Sequence, residues 1–99
     1  MNIETIFECG ELTAVLSGDI DHHTARNMRI VIDGEIEKYR PRKLNLDFRK
    51  VRFMDSSGIG LIMGRCRLMK FNGGSVKLQN IPSTLKRLID LSGVRSITE

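Results

Sequence analysis

Asp55-Ser56-Ser57 is a short polar step inside an otherwise mostly apolar stretch. Val51-Arg52-Phe53-Met54 precedes it and Gly58-Ile59-Gly60-Leu61-Ile62-Met63-Gly64-Arg65 follows. Two hydroxyls beside a carboxylate invite a nucleophilic reading, which needs a base within hydrogen-bond reach and an oxyanion hole. His22 or His23 would be the base, with Asp19 or Asp21 to orient it. However, Met54 and Asp55 precede the serines, so the Gly-x-Ser-x-Gly elbow is missing. A 99-residue chain also has little material left for a walled pocket. The histidines read better as surface residues of a first helical turn.

A modification site suits the step better. A strand that passes through serines into a helix presents backbone N–H groups with no partner inside the helix, and these favour negative charge. A phosphoserine adds about −1.5 to −2 charge. The fold tolerates that charge at a helix N-terminus, whereas a partner docked over the same terminus meets a bulky dianion. The residue types alone do not separate this reading from a plain helix cap. Nor do they choose between Ser56 and Ser57.

Two other chemistries are weaker. Gly58-x-Gly60-x-x-x-Gly64 misses the dinucleotide-binding glycine spacing by one residue, and its apolar filling reads as helix body. Tight helix packing is expected at Gly64, and close approach of another backbone at Gly58 and Gly60. For a metal, adjacent helical residues such as His22 and His23 diverge by about 100°. Cys9 and Cys66 lack ligand spacing. We expect neither metal nor cofactor.

The elements that must position the step follow from periodicity. Ile3–Glu8 and residues 12–17 read as strands joined by a tight turn, hence a hairpin. Asp21 caps a helix over 22–39, with Ala25, Met28, Val31, Ile32, Ile36 and Tyr39 on its buried face. Arg40-Pro41-Arg42 stops it. Residues 43–48 alternate with period two, and 51–54 extend the same path. A second helix starts at Ser56 or Ser57 and runs to about Phe71. It buries Ile59, Ile62, Met63, Cys66 and Met69, with Arg65, Arg67 and Lys70 outside. Asn72-Gly73-Gly74 closes it. A strand at 75–79, a helix from Ser83 to about Leu91 burying Leu85, Leu88, Ile89 and Leu91, and a short strand within 94–98 complete the order β-β-α-β-α-β-α-β.

That order predicts one α/β domain: a mixed sheet of four to five strands, with an N-terminal hairpin beside a parallel core. The loops after Ser17, Met54 and Gln79 should then open together at the carboxyl ends of the parallel strands. Asp19, Asp21, His22, His23, Asp55, Ser56, Ser57 and Ser83 would share that rim.

Composition narrows the function. The chain carries 40% apolar and 28% charged residues and a net charge of +4. Its cations are scattered, with one Tyr, four Phe and no Trp to interleave as stacking partners, which argues against nucleic acid. No stretch is apolar enough to span a bilayer and no charged-then-apolar leader opens the chain, so we expect no membrane association. Two widely spaced cysteines suit a reducing cytoplasm.

Leu16-Ser17-Gly18-Asp19-Ile20-Asp21-His22-His23-Thr24-Ala25, Phe53-Met54-Asp55-Ser56-Ser57-Gly58-Ile59-Gly60 and Lys86-Arg87-Leu88-Ile89-Asp90-Leu91-Ser92-Gly93 together resemble the STAS-domain anti-sigma factor antagonists. Asp-Ser-Ser-Gly followed by Ile-Gly is the more specific match, and Asp-His-His-Thr-Ala points to the sporulation branch of anti-anti-sigma factors. The resemblance spans essentially the whole chain. It implies that Ser56 is phosphorylated by the partner anti-sigma factor, an ATP-dependent serine kinase, and reset by a serine phosphatase. The unphosphorylated form would bind that kinase and release a sporulation sigma factor. Asp21, Asp55 and the Ser56, Ser57, Gly58, Ile59, Gly60 segment are expected at the docking surface, with Ser57 not the acceptor. A module of another pathway, such as general stress control, is the alternative. A serine-dependent enzyme or a basic nucleic-acid binder follows at a distance. The family usually continues into a C-terminal helix not found here, so either the sequence is shortened or one sheet face is barer, and an uncovered apolar patch there would favour weak homodimers.

Overall fold

A two-residue turn sets the sheet. In the computed structural model, which describes residues 2–99, Cys9 and Gly10 take φ of 54° and 78°. Positive φ at both central residues is the type I′ pattern, whose twist matches that of the flanking strands. β1 (Ile3–Glu8) therefore folds back antiparallel on β2 (Glu11–Ile20), from Glu8 opposite Glu11 to Ile3 opposite Leu16. β3 (Lys43–Met54) and β4 (Ser75–Gln79) add in parallel, giving the order β1-β2-β3-β4.

α1 (His22–Tyr39) links β2 to β3, and α2 (Ser56–Phe71) links β3 to β4. Both crossovers step the same way across the sheet, so right-handed connections place both helices on one face. There they pack against each other. α3 (Ser83–Ser92) leans on β3. Leu12, Ala14, Leu16, Leu44, Leu46 and Phe48 meet Met28, Ile32 and Ile36 of α1 and Ile62, Cys66 and Met69 of α2 in a single core. Among the expected helix-face residues, Tyr39 lies exposed and stacked on Phe7, and Leu91 is 76% exposed.

The structure departs from the sequence expectation in three places. Val94–Ser96 is a 3₁₀ turn, so the sheet has four strands. Gly93 takes a left-handed φ of 82°, Ser92 Oγ accepts the Val94 N–H at 3.2 Å, and Gly93 O accepts the Ser96 N–H at 3.1 Å. These local bonds consume the backbone groups a strand would need. Second, the sheet face away from α1 and α2 is mainly polar. Asn45 Nδ2 donates to Glu11 Oε1 at 3.1 Å and to Thr13 Oγ1 at 3.2 Å. Asn80 Nδ2 donates to Asp47 Oδ2 at 3.1 Å. The apolar face invoked for self-association is thus reduced, among the described residues of these rows, to Ile6 and Val15.

Third, Arg65 is buried rather than outward. It is 6% exposed, with its Nε 2.8 Å from Asp33 Oδ1 and its Nη2 donating to Asp33 Oδ2 at 3.2 Å. The closer contact is an ion pair whose N–H is angled off the line of a hydrogen bond. Burial pushes the Asp33 carboxyl above its usual range and the Arg65 guanidinium below its own, each opposed by the other's charge. This seam fixes α1 against α2.

Candidate docking site at two helix N-termini

The site begins in the strands. β2 runs on past Ser17 to Ile20, and β3 is continuous from Lys43 to Met54. Between them the register shifts twice, so that Val15 faces Asp47, Ser17 faces Lys50, and Ile20 faces Met54. The two extra β3 residues are bulges, which add local twist and re-aim the strand end. They bring both strands to the same level, and the Asp55 N–H donates to Ile20 O at 3.2 Å. Asp21 and Asp55 are therefore equivalent residues, each one step past a paired strand end and each the cap of the following helix.

At α1 the cap is closed. Asp21 Oδ1 accepts the His23 and Thr24 N–H groups at 2.9 and 3.0 Å, while Thr24 Oγ1 accepts the Asp21 N–H at 2.8 Å. The Thr24 hydroxyl also donates to Asp19 O at 2.9 Å. The Thr24 amide first, then that of His23, holds the Asp21 carboxyl below its usual range.

At α2 the cap is half open. Asp55 Oδ1 accepts only the Ser57 N–H, at 2.8 Å, and Asp55 O accepts the Gly58 N–H at 3.0 Å. Ser56 is exposed, and among the described residues neither its N–H nor its hydroxyl makes a hydrogen bond. Ser57 is half-buried and faces the groove between the helices. Gly58 holds the place that Thr24 holds in α1. A Cβ there would run into the Met54 side chain, so the close approach that favours glycine comes from a side chain rather than the expected backbone. A Cβ at Gly60 or Gly64 would meet nothing within 4 Å, so neither serves tight packing. Both line the groove instead.

The rim expected from sequence is assembled in part. Asp19, Asp21, His22, His23, Asp55, Ser56 and Ser57 meet where β2 and β3 end, with Asp19 paired to Arg52 at 3.7 Å. β4 ends opposite Asp47, seven residues before Met54, so Ser83 starts from a lower level of the sheet. The His22 and His23 rings meet edge to face at 5.4 Å. No hydrogen bond joins either to Ser56 or Ser57 among the described residues, and no group of three or more His, Cys, Asp or Glu side chains there could hold a metal. Phe53, 54% exposed beside Asp19 in the register, is a rim residue the sequence reading passed over. Its place one residue before a buried Met54 was the available signal.

A strand end, an aspartate cap and an open serine turn, repeated beside a closed twin, are the frame for comparison with known proteins. The model of the STAS domain matches residues 2–98. The chain belongs to the STAS domain family. An anti-sigma F factor antagonist of Paenibacillus polymyxa is 35% identical to this STAS domain over 97 residues, covering 98% of it and 83% of the relative. The anti-sigma-B factor antagonist of Bacillus subtilis (strain 168) is 29% identical over 104 residues, covering 100% and 89%. The unphosphorylated anti-sigma factor antagonist SpoIIAA superposes with a TM-score of 0.85 at 26% identity, covering 98% and 85%. The phosphorylated form of the Bacillus cell fate determinant SpoIIAA gives 0.77 at 26% identity, covering 98% and 88%. This STAS domain is an anti-sigma factor antagonist, and such antagonists are regulatory proteins, not enzymes. No helix among the described residues is long and apolar enough to cross a membrane.

Proposed function

We propose that this antagonist is gated by phosphorylation of Ser56. Unphosphorylated, it docks the rim around Asp21, Asp55 and Ser56–Gly60 onto an anti-sigma factor that is itself an ATP-dependent serine kinase. That capture frees a sporulation sigma factor. ATP belongs to the partner, a serine phosphatase resets the cycle, and the exchange takes place in the cytoplasm. The observation that carries this reading is the Ser56 hydroxyl, exposed and unbonded on the half-open terminus of α2. A phosphate there is compatible with the helix dipole and needs no internal bond to break. It would still stand in the way of a docked partner. A relative of the same fold has been solved in a phosphorylated form.

The sporulation branch is favoured by Asp21-His22-His23-Thr24-Ala25 and by the 35% identical anti-sigma F relative. General stress control is the second reading, favoured by the anti-sigma-B relative that covers the whole chain. The test incubates the protein with its cognate anti-sigma kinase and ATP, then maps phosphate by mass spectrometry. Phosphate is expected on Ser56, lost in Ser56→Ala and retained in Ser57→Ala. Labelling of Ser57, or undiminished labelling of Ser56→Ala, refutes the assignment.

A further inference from the structure

We propose that the groove between α1 and α2 is a second contact for the anti-sigma factor, and that it receives an acidic segment of that partner. The inference rests on the function proposed above and extends its footprint beyond the serine turn.

The groove encloses roughly 690 Å³ and opens beside Ser57. His22, Arg26 and Arg29 line it from α1, Arg65 and Arg67 from α2, and no carboxylate lines it. Asp33 is already engaged by Arg65. Arg26, Arg29 and Arg67 have no carboxylate within 4.0 Å among the described residues. Elsewhere Arg42, Lys43, Arg49, Lys50, Arg52 and Arg95 each have one. Lys38, Arg40, Lys70, Lys77, Lys86 and Arg87 lack one too, but none of them lines this groove.

The groove cations also repel. Arg29 and Arg67 both work against the charge of the buried Arg65. Like charges gathered on two facing helices weaken the fold rather than support it. Their arrangement therefore makes sense as complementarity to negative charge arriving from outside.

The shape selects a peptide. The distance from Ser57 to Arg67 along α2 is ten residues, about 15 Å of helix, longer than one phosphate can span. Gly60 and Gly64 leave open space on that wall, so a chain can lie close to it. No Phe, Tyr or Trp lines the groove to stack a base, which disfavours single-stranded nucleic acid. Carboxylates spaced along a segment match guanidinium groups that offer bidentate hydrogen bonds.

The arrangement adds a second route for the switch. The groove opens beside Ser57, next to the proposed acceptor, so a phosphate on the first turn of α2 would compete with the partner's carboxylates for the nearby guanidinium groups. Phosphorylation then lowers affinity by filling the groove's charge as well as by obstructing the turn.

The test measures binding of the cognate anti-sigma factor to the unaltered protein, to Arg26→Glu/Arg67→Glu, and to Lys70→Glu/Lys77→Glu as a charge-matched control, across salt concentrations. The groove reversal should weaken binding about thirtyfold at low salt, the loss shrinking as salt rises, while the control changes it less than about threefold. A heptaglutamate peptide should compete with the anti-sigma factor for the unaltered protein and not for the groove variant. Circular dichroism of both exposed-site variants establishes that they are folded. Equal affinities and equal salt slopes for groove variant and control overturn the groove while leaving the proposed function standing. Failure of the unaltered protein to bind the anti-sigma factor overturns that function and, with it, the occupant named here. Tight binding of a labelled oligonucleotide, lost on groove reversal, reassigns the groove to nucleic acid.

Discussion

α1 and α2 start in the same way and finish their first turns differently. Both follow a strand end, both use an aspartate in extended conformation as cap, with φ and ψ of −119° and −171° for Asp21 and −100° and −168° for Asp55. The divergence lies three residues on. Thr24 returns a hydrogen bond to the Asp21 N–H and completes a capping box. Gly58 has no side chain to return one, because Met54 fills the space its Cβ would need. The α1 cap is thereby closed by side chains in both directions, while α2 is capped by one side-chain bond and its Ser56 hydroxyl is left over. The same local motif is closed or left open according to a single neighbour in the layer below.

The largest effect on this comparison should come from the seam that holds the two termini side by side. Asp33→Ala leaves the buried Arg65 without its counter-charge. Breaking a fully buried pair costs about 3–5 kcal/mol, and because Asp33 is itself partly exposed we expect about 2 kcal/mol, read as a lower urea midpoint. A loss below about 0.5 kcal/mol, as for an ordinary surface pair, would show that the seam does not organise the helices.

Next is Gly58→Ala, which should cost about 1–2 kcal/mol despite the better helix propensity of alanine, since Met54 must move aside. The same substitution in a Met54→Ala background should be close to neutral relative to that background. Equal costs in both would break the link between Met54 and the open cap. Thr24→Ala, by contrast, should cost about 1 kcal/mol at α1 and leave Ser56 phosphorylation unchanged. A change in labelling rate would mean that the two termini are coupled.

The smallest effect is in pH dependence. The Asp21 carboxyl titrates below its ordinary value in the fold, so it binds its proton more readily in the unfolded chain. Its stabilisation is complete above that ordinary value and is lost as pH falls through the lower folded one. Asp21→Asn should accordingly flatten the fall in urea midpoint between about pH 5 and pH 2. An unaltered acid limb would assign that fall to other carboxylates.

Both helix starts were legible in the sequence. Periodicity located both helices, with Asp21 marking the start of the first and the Ser56-Ser57 step that of the second. What could not be read was the difference between them, because Gly58 is explained by Met54, a contact between a strand end and a helix that pattern rules do not register. Arg65 was placed outside because charged residues normally are. Its burial depends on Asp33, thirty-two residues earlier on another helix. The short strand expected within 94–98 was overridden by local turn bonding. The choice of Ser56 over Ser57 came from resemblance, and the structure adds one physical distinction, exposure against half-burial.

The immobility of Gly58 and the liberty of Ser56 also bear on how such a protein can evolve. Packing against Met54 constrains position 58, whereas position 56 is exposed. On the proposed assignment of Ser56, single-codon changes there would fix the protein in a permanently active or permanently silenced form without passing through a misfolded intermediate. A lineage could retune or retire its control at that one position while keeping every other contact of the domain intact.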